Sequence, residues 1–373
     1  MTDTRALEAP VDLGLPDLPA GIGITVRGFA GPSDYIGLAA ANQRSRDAAG
    51  IEEVVSAESM ARSYSHLVNC DLERDMLVVE HGGVIVGYVR VEWRDLEDGT
   101  RGFSAIVMLD PAHGASGLHA PMLRWAEQRS IAKARAIPVE ERRPSSLRSY
   151  SFGAEVDLAA AFEANGWTRS GHGYEMVRPT LEDIPQVPLP VGLEVRPIAS
   201  DRTARRQVWD AATEAFRDER DESEPTEEEW EASLVDPLED PSLWLIAFDG
   251  DEIAGGVHGR IDPDENAHHG RERGLVAAVY TRRAWRRRGL ARALIARCLV
   301  RLRERGMTSA YLGVDGLNPN QATDLYSALG FEVASTTYDW TKPLPADAAP
   351  AVAADPAVAA ERTEMADTPG SET

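Results

Sequence analysis

Both halves of the chain present the same series of predicted elements in the same order. In the second half, residue periodicity predicts a strand and a helix, a second helix from Thr226, a hairpin around Asp249-Gly250, and then alternating strands and helices. The ranges are 193–198, 201–217, 243–248, 252–261, 274–281, 289–305, 309–314, 318–329 and 331–340. The first half repeats this order from strand 22–28 to a closing glycine and aromatic residue. Such a duplication predicts two copies of one α/β unit with a mixed sheet.

Segments rich in proline and small residues divide the chain. Residues 1–20 and 345–373 have this composition, which predicts disorder at both ends. Residues 179–192 carry four prolines without apolar periodicity, which predicts an extended linker. The sequence therefore predicts a first domain at 21–178 and a second domain at 193–344.

Composition argues against several classes of protein. The net charge of −22 opposes nucleic-acid binding and favours cationic amines as ligands. No apolar stretch approaches the roughly 18 residues that cross a bilayer, and the first residues do not resemble an export signal. We therefore expect a cytoplasmic protein without a membrane partner, and a homodimer stays open. Cys70 and Cys298 lie apart without ligands at metal-binding spacing, so we expect neither a metal site nor a disulfide framework.

The strand-to-helix turn within residues 279–295, VYTRRAWRRRGLARALI, is suited to binding an anion. A turn into a helix N-terminus leaves backbone N–H groups unpaired and adds the positive end of the helix dipole. Gly289 allows the backbone to approach a ligand closely. The clustered arginines favour a pyrophosphate, although they are also consistent with a solvated basic surface or a nucleic-acid patch.

The same turn resembles the acetyl-CoA loop of the GNAT superfamily of N-acetyltransferases, (Q/R)xxGx(G/A), at Arg286, Gly289 and Ala291. A second block of residues lies downstream at the distance of a helix and a strand and strengthens the resemblance. It consists of Val314, Asn318, Ala322, Tyr326, Gly330 and Phe331, where GNAT proteins usually have V...N..A...Y...GF. The resemblance implies acetyl-CoA as the acyl donor.

Several residue roles are implied by the resemblance alone. Asn318 is expected to hold the pantetheine arm and Tyr326 to protonate the departing thiolate, although packing on an amphipathic helix is an alternative role for this tyrosine. The fourth strand of the unit is expected to splay from the fifth and to bind the cofactor through its backbone. The implied acetyl-CoA contacts are Val279, Tyr280, Thr281, Arg286, Arg287, Arg288, Gly289, Leu290, Ala291, Arg292 and Asn318.

The general base and the acceptor site are less well defined, because residues 274–281 contain no carboxylate. Glu272 and Asp218 are candidate bases, acting directly or through water. In the family, the region between the first two helices commonly lines the acceptor pocket, so Asp218, Glu219 and Trp230 are candidate contacts of a cationic amine. The acidic run around them is equally consistent with a solvated loop and helix start.

The corresponding motifs of the first half are degenerate. In LDPAHGASGLH, Gly114 and His119 stand at the arginine position and the last small position, and Phe162 and Ala154 stand where the tyrosine and asparagine are expected. A degenerate copy before an intact one is similar to the tandem arrangement of actinobacterial acetyltransferases related to mycothiol synthase. This resemblance implies a C-terminal active site and a first domain that is structural, substrate-shaping or a silent cofactor binder.

Together these features predict an acyl-CoA-dependent N-acyltransferase that transfers acetyl, or another short acyl group, to a primary amine of a small molecule by direct attack. Two alternatives stay open. One is a non-catalytic protein that binds acyl-CoA to sense metabolic state or assemble partners. The other is an N-acetyltransferase of peptide or protein amines, in which the acidic loop attracts lysines or basic N-termini.

Overall fold

The computed structural model describes residues 14–51, 53–96, 98–217, 225–316 and 322–349. The first half contains β1 Ile24–Gly28, α1 Tyr35–Ala49, α2 Ala57–Tyr64, α3 Leu72–Asp75, β2 Met76–His81, β3 Val84–Asp95, β4 Arg101–Leu109, α4 His119–Ala136, β5 Ser145–Phe152, α5 Val156–Ala164 and β6 Thr168–Arg178. The second half contains β7 Leu193–Arg196, α6 Arg202–Phe216, α7 Glu227–Val235, β8 Trp244–Asp249, β9 Glu252–Arg260, α8 Pro263–His269, β10 Arg273–Thr281, α9 Leu290–Glu304, β11 Ser309–Asp315, α10 Ala322–Ser327 and β12 Glu332–Pro343. The predicted duplication and mixed α/β class are confirmed.

Local signals account for where the helices of the second half begin. Asp201 caps α6, because its carboxylate accepts from the Thr203 and Ala204 amides. Thr226 and Glu229 form a reciprocal capping box at the start of α7, as their spacing predicts. The hairpin between β8 and β9 turns at Gly250, whose φ of +57° suits glycine.

Within the described residues, one twelve-stranded sheet runs through the whole molecule in the order β1-β2-β3-β4-β5-β12-β6-β11-β10-β9-β8-β7. The closing strands of the two halves are exchanged. β12 pairs with β5 of the first half, β6 pairs with β11 of the second half, and β6 and β12 pair with each other at the centre. The predicted limits of the two domains follow the sequence duplication, whereas the sheet interleaves their last strands.

Helices cover both faces of each half of the sheet. In the first half, α4 packs on one face around Leu123, and α1 packs on the other around Leu38. In the second half, α9 packs around Leu294 and α6 around Val208. Trp340 of the exchanged β12 belongs to the core beneath α4, and Met176 of β6 belongs to the core beneath α9. The core beneath α4 and the core beneath α9 are therefore each completed by a strand from the other half.

Residues near the described ends are ordered. Leu15, Ala348 and Ala349 are buried in the core of the first half. This corrects the prediction of disorder at these positions, because composition gave no indication that they contact apolar side chains elsewhere in the chain. Residues 1–13 and 350–373 lie outside the described residues.

The predicted linker has neither helix nor strand from residue 179 to residue 192. It is nevertheless attached to the second half. Leu181 is buried, and Arg297 of α9 donates to the Val187 carbonyl at 2.8 Å. Among the described residues, no helix is long and apolar enough to cross a membrane.

Candidate active site

Strand β10 separates from β11 along most of its length. The two strands pair in parallel only where Arg273, Gly274 and Leu275 face Ser309, Ala310 and Tyr311. On its other edge β10 stays paired with β9, with an irregularity in register between Val276 and Ala278. From Val276 onward, β11 no longer covers one edge of β10. The splay that the resemblance implied is present.

A cavity of about 320 Å³, the loop cavity, lies at the C-terminal end of β10. It is lined by Ala215, Phe216, Val279, Tyr280, Thr281, Trp285, Arg286, Arg287, Gly289, Leu290, Ala291, Arg292, Ala322, Leu325 and Tyr326. Most of the acetyl-CoA contacts implied by the resemblance are therefore brought together. Arg288 is not among the lining residues, and Asn318 lies outside the described residues.

The loop before α9 has the backbone conformation of an anion site. Gly289 is the N-cap of α9, with φ +81° and no side-chain cap, so the first amides of the helix are left for a ligand. Arg287 also has a positive φ, +59°. Alternating backbone angles of this kind point successive N–H groups into one concavity. No atom lies within 4 Å of a Cβ built on Gly289, so conformation and not space favours glycine there.

The arginines of the loop have different roles. Arg286 holds the loop in place, because its Nε donates to the Thr281 carbonyl at 2.9 Å and its Nη2 to the Ala215 carbonyl at 3.0 Å. Arg288 points to the linker and donates to the Val191 carbonyl at 3.3 Å. Arg287 and Arg292 are exposed, line the loop cavity, and make no hydrogen bond or ion pair to any described residue. These two guanidinium groups are therefore available to phosphate oxygens.

Tyr326 lies on α10 at the edge of the loop cavity. Its side chain is mostly buried and packs edge-on against Phe331, with ring centroids 6.1 Å apart. The packing role and the catalytic role considered for this tyrosine are therefore compatible. The proton-donor role itself stays a prediction.

A second cavity of about 480 Å³, the aromatic cavity, lies beneath α6 and α7 and includes Ala278 of β10 in its wall. Its wall contains Trp209, Phe216, Trp230, Trp244 and His258, together with Arg205, Val208, Ala212, Thr213, Arg217, Pro225, Glu229, Ser233, Glu239 and Ala278. Trp230 is thus placed where the resemblance expected an acceptor contact. Asp218 and Glu219 lie outside the described residues.

Two carboxylates, Glu229 and Glu239, line the aromatic cavity. Neither is among the base or acceptor candidates that the sequence indicates. Glu239 follows α7, and burial raises the pKa of its carboxyl, although Arg260 at 2.8 Å acts in the opposite direction. Glu229 is desolvated by partial burial, but hydrogen bonds from the Thr226 amide and from Arg94 lower the pKa of its carboxyl overall. Of the two, Glu239 is the carboxylate whose pKa is raised.

The position of Glu272 does not favour the base role suggested for it. It is exposed immediately before β10, at the end of the strand opposite Thr281, and lines neither cavity. Glu272 and Ala278 are six positions apart along an extended strand, which is about 20 Å. No local sequence signal indicates Glu239 as a candidate base instead of Glu272, because Glu239 comes close to β9 only in the folded chain.

His258 of β9 forms part of the floor of the aromatic cavity. Its ring stacks on Trp244 with centroids 4.3 Å apart and an interplanar angle of 8°. Burial lowers the pKa of this histidine to about 3, so the imidazole is neutral at physiological pH and is a weak base. The Nε2 atom of His258 and the Nε1 atom of Trp244 are buried and have no hydrogen-bond partner among the described residues.

The equivalent site of the first half is small and acidic. It is a cavity of about 100 Å³ whose lining includes Gly114, His119, Glu155 and Asp157 and no arginine. The Oδ2 atom of Asp157 lies 2.8 Å from the position that a Cβ would take at Gly114. Burial lowers the pKa of His119 to about 4, so this histidine adds no positive charge at neutral pH. A carboxylate of the chain itself thus stands at the degenerate loop.

Comparison with known proteins gives the same family that the loop motif resembles. The sequence profile of the Acetyltransferase (GNAT) family matches residues 206–331. A mycothiol acetyltransferase from Streptomyces bingchenggensis is 30% identical over 273 residues, which cover 71% of this chain and 78% of that protein. The chain belongs to the GNAT family. It is therefore an N-acetyltransferase, and GNAT acetyltransferases use acetyl-CoA.

A further curated protein and a solved structure are also similar to this chain. A mycothiol acetyltransferase from Thermobispora bispora is 27% identical over 292 residues, covering 77% of this chain and 94% of that protein. The crystal structure of a GCN5-related N-acetyltransferase from Sphaerobacter thermophilus superposes with a TM-score of 0.69 at 23% identity, over 91% of this chain and 98% of that one. The latter similarity establishes the fold alone. The GNAT resemblance found in the sequence is confirmed.

Proposed function

We propose that the C-terminal half transfers the acetyl group of acetyl-CoA to a primary amine of a small molecule bound in the aromatic cavity. One observation carries this proposal: adjacent residues of the uncovered part of β10 border different cavities. Ala278 lines the aromatic cavity and Val279 lines the loop cavity. An amine in the first and a thioester in the second would meet at this point of the strand.

Donor binding is assigned to the loop cavity. Arg287 and Arg292 would contact phosphate oxygens, and the amides after Gly289 would complete the anion site. The uncovered edge of β10 offers backbone groups to the pantetheine arm and an N–H to the thioester carbonyl oxygen, where negative charge develops during the reaction. These assignments use free groups of the loop and leave Arg286 as its structural support.

Direct attack requires a base on the amine side and an acid on the sulfur side. The amine nitrogen forms a bond to the acetyl carbon, the carbon–sulfur bond breaks, nitrogen loses a proton and the thiolate gains one. We assign proton removal to Glu239, directly or through water, because it is the partly buried carboxylate with a raised pKa in the aromatic cavity. Tyr326 is the proposed acid at the loop cavity.

We further propose that the first half does not transfer acetyl groups. Asp157 stands at the loop position, Glu155 adds a second carboxyl group to the same cavity, and no arginine lines it. Carboxylates near a phosphate site repel it. The role left to this half is structural, and Arg94 of β3 contacts Glu229 of α7 at 2.6 Å.

Amine-dependent release of CoA thiol, measured with calorimetric binding of acetyl-CoA, tests the proposed function. We expect Arg287→Glu to weaken acetyl-CoA binding by about tenfold or more, because a free cation at a phosphate site becomes an anion. We expect Tyr326→Phe to retain binding and to lower kcat by about 10²-fold or more, the usual contribution of a positioned acid.

The matched control for charge reversal is Arg62→Glu on α2, which makes the same change in net charge at an exposed position of the first half. It should bind acetyl-CoA normally. Tight acetyl-CoA binding without thiol release for any amine would favour the non-catalytic alternative, and acetylation of peptides in preference to small amines would favour the peptide alternative.

A further inference from the structure

The aromatic cavity contains rings on several sides. Trp209 of α6 and Trp230 of α7 meet edge-on with centroids 5.5 Å apart, and Trp244 and His258 stack on the strands below. Phe216 lies at the boundary with the loop cavity and lines both. Such a wall offers dispersion contacts to an apolar or aromatic body and attraction to a cation above the ring faces.

Several polar groups in the wall are already paired within the protein. Arg205 donates to the Ser233 carbonyl at 2.6 Å and to the Leu234 carbonyl at 3.2 Å. The Ser233 hydroxyl donates to the Trp230 carbonyl at 2.7 Å. Arg205 thus holds α7 against α6, and the Ser233 hydroxyl already uses its proton within α7.

The two carboxylates of the wall differ in how fully they are paired within the protein. Glu229 is held by the Thr226 amide at 2.8 Å and by Arg94 at 2.6 Å. Glu239 is held by Arg260, which it shares with Asp236, and its side chain keeps 19% of its accessible surface. Arg205 and Arg217 also line the cavity, so the described part of its wall carries no excess of negative charge. Glu239 is the less fully paired carboxylate and the one placed to contact an ammonium group.

The floor of the cavity consists of ring faces and not of exposed polar atoms. The Nε1 atom of Trp244 and the Nε2 atom of His258 have no hydrogen-bond partner among the described residues, but both atoms are buried beneath the cavity surface. The hydroxyl of Tyr280, which packs edge-on beside the His258 ring and lines the loop cavity, is buried in the same way. The described part of the floor therefore offers a ligand dispersion contacts and few hydrogen-bonding groups.

From these features we infer that the acceptor is a primary amine carried on an aromatic or largely apolar body, and not a polyhydroxylated amine. This inference rests on the proposed function and specifies its substrate class. A sugar amine would place several hydroxyl groups against rings and against polar groups already paired. Each buried hydroxyl left without a partner costs about tenfold in affinity.

The experiment compares 2-phenylethylamine and tryptamine with glucosamine as acceptors of the full chain at saturating acetyl-CoA, by CoA thiol release. We expect kcat/KM for the two arylalkylamines to exceed that for glucosamine by about 100-fold or more. A preference for glucosamine would overturn the inference while leaving the proposed function in place. Failure to bind acetyl-CoA would remove the proposed function, and the inference with it.

A pair of variants tests whether the preference for arylalkylamines arises in the aromatic cavity. Trp209 is only half-buried, so its replacement is compatible with folding. We expect Trp209→Ala to raise KM for 2-phenylethylamine by about tenfold, with the acetyl-CoA Kd unchanged, and Trp209→Phe to restore most of the loss because it keeps a ring. Unchanged KM in Trp209→Ala would contradict binding of the aromatic group in this cavity.

Discussion

Two residues with positive φ, Arg287 and Gly289, shape the site at the residue scale. Their backbone angles turn the amides before α9 toward the loop cavity, and the Arg287 side chain makes no bond to any described residue. Arg286, the arginine of the loop motif three positions before Gly289, instead holds the loop to β10 and α6. Residues that look equivalent in a run of arginines therefore divide into ligand-facing and structural groups.

Glu239 provides a test of proton removal through its pH dependence. A general base acts when deprotonated, so kcat/KM should fall as pH falls through the pKa of Glu239. Since burial raises this pKa, the fall should occur above the usual range of a glutamate, about 4.3. We expect Glu239→Gln to lower kcat by about 10²-fold and to abolish this acidic limb.

The measurement is a pH–rate profile of both proteins with one amine. Ionisation of the amine adds its own limb to both profiles, so only the difference between them reports on Glu239. Glu252→Gln, an exposed position at the start of β9, is the control and should leave the profile unchanged. A profile of Glu239→Gln that keeps the acidic limb would assign the base to another group.

At the scale of elements, the exchange of β6 and β12 links the stability of each half to the other. Trp340 of β12 is buried and stacks on Phe162 of α5, with centroids 5.0 Å apart at 17°. Its Nε1 donates to the Ser151 hydroxyl of β5 at 2.9 Å. The tryptophan thus belongs to the core of the first half although it lies near the end of the second.

We expect Trp340→Ala to lower the free energy of unfolding by about 3–5 kcal/mol, the usual cost of a large cavity in a core. Amide hydrogen exchange should accelerate in α4 and α5 of the first half. Met176→Ala in β6 is the reciprocal variant and should accelerate exchange in α9 and β11. Acceleration confined to the half of the sequence that carries each substitution would contradict the exchange of strands.

At the scale of the whole molecule, the two halves keep the same architecture but have different cavities at their corresponding loops. The loop cavity of the second half is about 320 Å³, and the corresponding cavity of the first half is about 100 Å³. Arginines line the former, whereas Glu155 and Asp157 line the latter. Duplication has left one site with the charge and the space that a phosphate group requires.

We therefore expect one acetyl-CoA to bind per chain, measured as the stoichiometry of a calorimetric titration. Arg287→Glu should weaken this binding without exposing a second site. Asp157→Ala removes one carboxylate from the first half but adds no arginine, so its stoichiometry should stay at one. Binding of two equivalents of acetyl-CoA by the unmodified chain would contradict the expectation that the first half does not bind this cofactor.

The sequence by itself determined the features that depend on short-range signals. The capping box of Thr226 and Glu229, the glycine turn before α9 and the repeated order of elements are each encoded within a few neighbouring residues, and all are present in the structure. Helix α8 was not predicted, because Pro263–His269 is short and polar. The loop contacts could be inferred because a phosphate site uses consecutive backbone groups.

Only the tertiary structure decided which strands pair and which side chains form the aromatic cavity. Strands β6 and β12 each follow a helix and a glycine with an aromatic residue, so local preference does not distinguish which sheet half each one joins. Glu239 and His258 lie apart in the sequence. Both line the aromatic cavity because β8 and β9 pair beneath α6 and α7. Strand pairing and cavity walls depend on contacts distant in sequence, and residue periodicity carries no record of those partners.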